Sequence, residues 1–203
     1  MPKHILRPHA KPYFLNTEIT AWKWPDDTQE GRVARAKFGR FVREGEGIAD
    51  PADAPTELAF MVGTSDLKQF LSVEFLWLVK QPVKDLIEEL DPTLHQFISL
   101  RVTDHTGTPF DKGLWWMLIV HHRQASIVDE LTNSYPGQEA KRTRARMILK
   151  QSGKITMDGS NLAANVHLWR EERYGSALFM SDLLYGRLED MGVELPCRPV
   201  ELI

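Results

Sequence analysis

The chain has 203 residues, 42% hydrophobic, 26% charged and 9% aromatic, with a formal net charge of -3. A chain of this length buries roughly two-thirds or more of its unfolded surface without a metal or disulfide staple, and its charge balance excludes a global pull toward nucleic acid or anionic lipid. Cys197 is the only cysteine, which excludes an intrachain disulfide, and no apolar run reaches the roughly eighteen residues a membrane helix needs.

Residues 1–57 are weakly patterned and punctuated by Pro2, Pro8, Pro12, Pro25, Pro51 and Pro55. No apolar run of signal-peptide length occurs here, so a cytoplasmic protein is expected. Lys11–Leu15 and Lys37–Val42 are candidate strands. Glu44–Pro55 has the glycine, proline and acid content of a surface loop and is expected to be the most mobile segment. From Glu57 to Lys80 the apolar density rises through ELAFMVG, DLKQFL and SVEFLWLVK, the last reading as a strand.

Gln81–Leu90 places Val83, Leu86, Ile87 and Leu90 at helical spacing, with Pro82 in the first turn where its missing N–H does no harm. Asp91-Pro92 ends that helix, because a residue before proline is pushed out of helical geometry. Gln96–Thr103 alternates as a strand, and a turn leads to WWMLIVHHR (Trp115–Arg123), a further strand. A helix is expected from about Gln138 to Lys150, rich in good helix formers and stopped by Ser152-Gly153. KITMD and NVHLWR then read as short strands around an Asp158–Asn161 turn.

The chain closes on a strand in SALFMS, a helix in DLLYGRLEDM and a strand in CRPVEL, which repeats the earlier order. When Leu78–Lys80 is set against Phe179–Ser181, Val83, Ile87 and Leu90 fall on Leu184, Leu188 and Met191; one deletion then brings Phe97–Leu100 onto Cys197–Val200. The reading is an α+β fold: a mixed sheet with packed helices and a strand–helix–strand module used twice. Two copies are too few for a solenoid, so one domain over 1–203 is expected, with a less regular part at 1–70.

The candidate chemistry is sparse. If WWMLIVHHR is a strand, His121 and His122 point to opposite faces and cannot share one metal ion or substrate, and Trp115 and Trp116 diverge likewise, one toward the core and the other toward a helix-covered or partner face. No HExxH, CxxC, GxSxG or glycine-rich phosphate pattern occurs, so no catalytic residue, metal ligand or cofactor is assigned. Cys197 reads as a structural thiol. The acids Glu44, Glu46, Asp50, Asp53 and Glu57, with no lysine or arginine from 44 to 67, form a surface that could steer a basic partner. Two other readings stay open: a hydrolase or metal enzyme using His121 or His122 with Asp129 and His167, and a nucleic-acid binder using the 141–150 helix with its Arg142, Arg146 and Lys150 row.

Two segments carry more: VKQPVKDLIEELDPTLHQFISLRV and HLWREERYGSALFMSDLLYGRLEDMGVELPCRPVEL. They resemble immunity family eleven of the bacterial polymorphic-toxin systems, formerly a proteobacterial domain of unknown function. The matching positions are Val83–Leu90, His95–Leu100, Trp116–Val120 with Val128-Asp129, His167–Arg170, Leu178–Asp182 and Gly192–Val200. Lys80 stands where serine is usual, Cys197–Pro199 lacks the usual aromatic, and residues before 70 match little. The resemblance implies a small cytoplasmic protein, without enzymatic activity or cofactor, that binds and neutralises a toxin encoded nearby. It leaves self-association open.

Overall fold

The computed structural model describes residues 4–6, 19–24, 28–44, 48–60, 68–73, 76–110, 115–132, 134–136, 147–149, 154–172, 178–195 and 197–203. In chain order the first elements are β1 (His4–Leu6), β2 (Ile19–Lys23), α1 (Gln29–Glu44), β3 (Glu57–Phe60), β4 (Phe70–Val73), β5 (Leu76–Lys80), α2 (Gln81–Leu90) and β6 (His95–Asp104). There follow β7 (Trp115–Val120), β8 (Arg123–Gln124), β9 (Ser134–Pro136), β10 (Met147–Leu149), β11 (Thr156–Met157), β12 (Leu168–Glu171), β13 (Leu178–Met180), α3 (Asp182–Asp190), β14 (Cys197–Pro199) and β15 (Glu201–Leu202). The fold is α+β with mixed sheets, as the patterning implied. The chain divides into two compact units: His9–Leu86 with His95–Ile119, and Met1–Pro8 with Ile87–Leu94 and Val120–Ile203.

The N-terminal unit is built on a six-stranded sheet in the order β2-β3-β6-β7-β5-β4. β3 runs parallel to β6, while β5 is antiparallel to both β4 and β7. Alternating side chains of the strands, Leu58, Phe60, Leu76, Leu78, Ile98, Leu100, Trp115 and Met117, form one buried cluster with Phe38 and Val42 of α1. α1 corrects the expected strand at Lys37–Val42. The run AKFGRFV satisfies a period of two locally, but over the whole stretch the buried residues Phe38 and Val42 and half-buried Ala34, Arg35 and Phe41 recur at helical spacing. The start is marked by Thr28, whose hydroxyl accepts from Gly31 N–H at 3.2 Å, and by Glu30 in the first turn. SVEFLWLVK, expected as one strand, contributes to two, β4 and β5, in antiparallel register.

The C-terminal unit holds a five-stranded sheet in the order β14-β1-β13-β12-β8. Trp169 stacks on Phe179, centroids 5.9 Å apart, in a cluster with Ile127, Ile155, Met157 and Val200. α3 opens on Ser181, whose hydroxyl accepts from Leu184 N–H at 3.1 Å. It closes on Gly192, at φ +72°, with Val193 N–H reaching back to Leu188 C=O. CRPVEL makes two strands, because β14 pairs with β1 and β15 with β11.

Both copies of the repeated module are present, and in each the two strands flank an intruder: β7 lies between β5 and β6, and β1 lies between β13 and β14. Since β1 is antiparallel to both neighbours, β13 and β14 are parallel, which makes this a split strand–helix–strand unit. The paired helix positions agree in burial: Val83 and Leu184, and Ile87 and Leu188, are buried, and Leu90 and Met191 half-buried. The expected helix at 138–150 is corrected at its end. Met147–Leu149 is a strand paired antiparallel with Ser134–Pro136, a case of tertiary pairing overriding local helix propensity. Lys11–Leu15 and Arg142, Arg146 and Lys150 lie outside the described residues.

Candidate functional site

The acidic segment begins where α1 ends, at Glu44; Glu46 lies outside the described residues. Beyond it, Ile48 is 81% exposed, whereas Ala49 is buried and tied by its backbone to one side chain. Gln96 on β6 accepts from Ala49 N–H at 3.0 Å and donates to Ala49 C=O at 2.7 Å. Asp50, exposed, then caps a single 3-10 turn, Pro51–Asp53, by accepting from Ala52 N–H at 2.9 Å. Ala54 and Pro55 are buried, and Thr56 N–H bonds Lys23 C=O at 2.9 Å on the way into β3. Within Glu44–Pro55, expected to be the most mobile segment, the described part from Ala49 onward is thus held by hydrogen bonds at Ala49 and at the following Thr56.

The five candidate acids have different surroundings. Asp50 is exposed and Asp53 half-buried beside α1, where it lines a small hollow with Glu30, Arg35 and Trp24. Glu57 is drawn inward: its side chain is 19% exposed, 3.6 Å from the Arg101 guanidinium, and accepts from the Thr103 hydroxyl at 3.3 Å. Two of the segment's prolines, Pro51 and Pro55, form one wall of an open groove of about 450 Å³, with Ile98–Val102 along its length and Pro109 and Phe110 opposite. Asp104 shapes that opposite wall by accepting from Thr106 N–H, the Thr106 hydroxyl and Thr108 N–H at 2.8, 2.6 and 2.9 Å. The Thr106 hydroxyl first, and these amides, hold its carboxyl below the usual carboxylate range. Apolar walls beside the exposed Asp50 suit contact with another protein; among the described residues the groove presents no nucleophile–base pair.

The residues of the enzyme reading fall otherwise. β7 ends at Val120, so His121 and His122 sit in the link to β8 instead of on a strand. His122 C=O accepts from Arg170 N–H at 2.9 Å. Asp129 opens a 3-10 turn. His167 shares a 2.8 Å hydrogen bond through Nδ1 with Ser181 Oγ, the same hydroxyl that caps α3. A nucleophile–base pair requires a third group orienting the base, and among the described residues none bonds His167 Nε2. Among them, too, no group of three or more His, Cys, Asp or Glu side chains could hold a metal ion.

Trp115 and Trp116 diverge as adjacent strand residues should. Trp115 is in the core, and Trp116 is covered by the first turn of α2, its Nε1 donating to Gln81 Oε1 at 2.8 Å with Lys84 Nζ 4.9 Å from the ring centroid.

Two carboxylates that sequence reasoning passed over are buried and engaged in the C-terminal unit. Asp91, 1% exposed, accepts from His167 N–H at 2.8 Å and Leu168 N–H at 2.7 Å. Glu171, fully buried, accepts from Ser126 N–H at 2.7 Å and Ile127 N–H at 3.1 Å. Next to Glu171 in β12, Arg170 Nε donates to Val120 C=O at 3.2 Å; burial, and then Arg123, lower its pKa to about 10, so it remains charged near neutrality. These groups organise backbone and are not open to a ligand.

Cys197 is half-buried, and burial, then the Glu189 charge, push its thiol up to about 12. Because the thiolate is the reactive form, iodoacetamide at pH 8 is expected to leave the folded protein largely unlabelled and to label it fully in denaturant. Rapid stoichiometric labelling of the native protein by mass spectrometry would show the thiol to be accessible and ionised.

Comparison with known families places residues 24–197 within the model of an immunity protein family, Imm11. The match begins well before residue 70, so α1 and the acidic segment fall inside it. No curated protein matches the chain. Among the described residues no helix is long and apolar enough to cross a membrane.

Proposed function

The chain belongs to the immunity protein family Imm11, and from that premise we propose that it neutralises a cognate bacterial toxin by stoichiometric protein–protein binding. The family match over 24–197 is the observation that carries this reading. On it, the protein acts in the cytoplasm of the producing cell as a non-enzymatic binder, without a cofactor, through an interface of at least about 1,000 Å².

The acidic segment and the groove it walls are the proposed contact. Loops between framework elements change cheaply while the core is kept, which suits partner specificity. An apolar wall, with the exposed Asp50 next to Pro51 at its edge, supplies both buried contact and steering.

Co-expression with the toxin encoded beside this gene tests the function. Growth is expected to be restored only when the protein is made in at least equal amount. Death of cells that contain folded protein, or protection at strongly substoichiometric amounts, would sink the occlusion mechanism. Changing Glu44, Glu46, Asp50 and Asp53 together to lysine is expected to slow association with a basic toxin at least about tenfold, since exposed charges steer encounter. Stability should fall by only about 1 kcal/mol, chiefly from the Asp50 cap. Unchanged association would remove the segment from the interface and leave the function standing.

A further inference from the structure

The outward side of α1 carries an observation that the acidic segment does not account for. Its exposed positions include Arg32, Val33, Ala36, Lys37 and Arg40, one continuous stripe at helical spacing whose end arginines are about 12 Å apart along the axis. Among the described residues no carboxylate pairs with Arg32, Lys37 or Arg40. Three exposed basic residues elsewhere do pair with carboxylates: Arg101 with Glu57, Lys154 with Glu201 and Arg187 with Glu89. Val33, in the middle of the stripe, is 66% exposed, and Ala36 beside it leaves room for close approach. An apolar centre flanked by charges that no described carboxylate pairs, with Lys37 resting only against the Phe41 ring 5.6 Å away, is the pattern of a protein contact, where the apolar group is desolvated and the charges steer.

We propose that this stripe of α1 docks an acidic patch on the protein partner. The inference rests on the toxin-binding reading and adds the chemistry of the partner's surface: an acidic patch, reached next to whatever contacts the acidic segment. Charge complementarity selects the occupant. Nucleic acid would also answer the three positive charges, but the aromatic beside the stripe, Phe41, is half-buried and already carries Lys37 Nζ 5.6 Å from its ring centroid. A phosphate backbone would moreover leave Val33, 66% exposed within the stripe, uncovered. An acidic protein surface can follow the helix, cover Val33 and leave the neighbouring acids to its own basic groups.

Stopped-flow association with the purified toxin from the adjacent gene, at low and at physiological ionic strength, tests the proposal. The triple variant Arg32→Glu, Lys37→Glu, Arg40→Glu is expected to associate at least about tenfold more slowly at low salt while its circular dichroism and melting temperature stay as in the wild type. Val33→Asp alone is expected to weaken equilibrium binding about tenfold and keeps the test open if the triple variant misfolds. Wild-type association by both variants would overturn the proposal and leave the toxin-binding reading intact. A wild-type protein that does not bind the toxin would overturn both. If a short DNA duplex binds the wild type and not the triple variant, while toxin binding is unchanged, the stripe is a nucleic-acid contact and the proposal is wrong.

Discussion

Replacing Asp91 by alanine is expected to destabilise the protein by about 2–6 kcal/mol, because the part-buried N–H of His167 and the buried N–H of Leu168 each lose their acceptor at a cost of about 1–3 kcal/mol. Against a total stability of about 5–15 kcal/mol this brings the fold close to collapse. Asp91→Asn, which keeps one acceptor oxygen but turns the other into a donor facing an N–H, is expected to fall between wild type and alanine. Urea unfolding followed by tryptophan fluorescence gives the comparison. A loss under about 1 kcal/mol for the alanine variant would mean that His167 and Leu168 find other acceptors, and that the carboxylate does not organise this part of the unit.

Ile87→Ala and Leu188→Ala are each expected to cost about 2–5 kcal/mol, from lost burial and the cavity left behind, since both side chains are 0% exposed. They occupy equivalent positions in the two copies of the split module. Leu90→Ala and Met191→Ala, at the half-buried third position of each stripe, should cost less. If the unfolding curves show Ile87 and Leu188 to be no more sensitive than Leu90 and Met191, the matching burial of the two copies does not reflect matching structural roles.

What could be read from the sequence tracks the strength and length of the local signal. α2 emerged at its observed bounds, because four apolar residues at helical spacing are framed by Pro82 and by Asp91-Pro92. β6 and the body of β7 were legible for the same reason. α1 was hidden by two glycines and a seven-residue run that also suits a strand, and with it the basic stripe went unseen. β10 was misread because three residues take their conformation from pairing with β9, which no local window contains. The hydrogen bonds of Asp91 and Glu171 are less legible still. A carboxylate that accepts from amides 44 to 77 positions away looks, in sequence, like any surface acid. The candidate contact shows the same division. Its charges are visible in composition, whereas the anchoring of Ala49 by Gln96 depends on a residue 47 positions distant.

The place of β1, between β13 and β14, also sets a timetable for synthesis. A ribosome adding about 5–20 residues per second needs about 10–40 s to pass from Leu6 to Cys197. Neither neighbour of β1 in the finished sheet exists until Leu178–Met180 has been made, and the second follows only at Cys197–Pro199. The N-terminal unit's six-stranded sheet can be complete by Val120, so the nascent chain folds in two instalments, and the second closes around a strand made before the first. Closure of so long a loop is entropically late. A nascent chain stalled before Leu178 therefore leaves β1 without either partner, and one with Met180 but not Cys197 outside the ribosome offers it β13 alone.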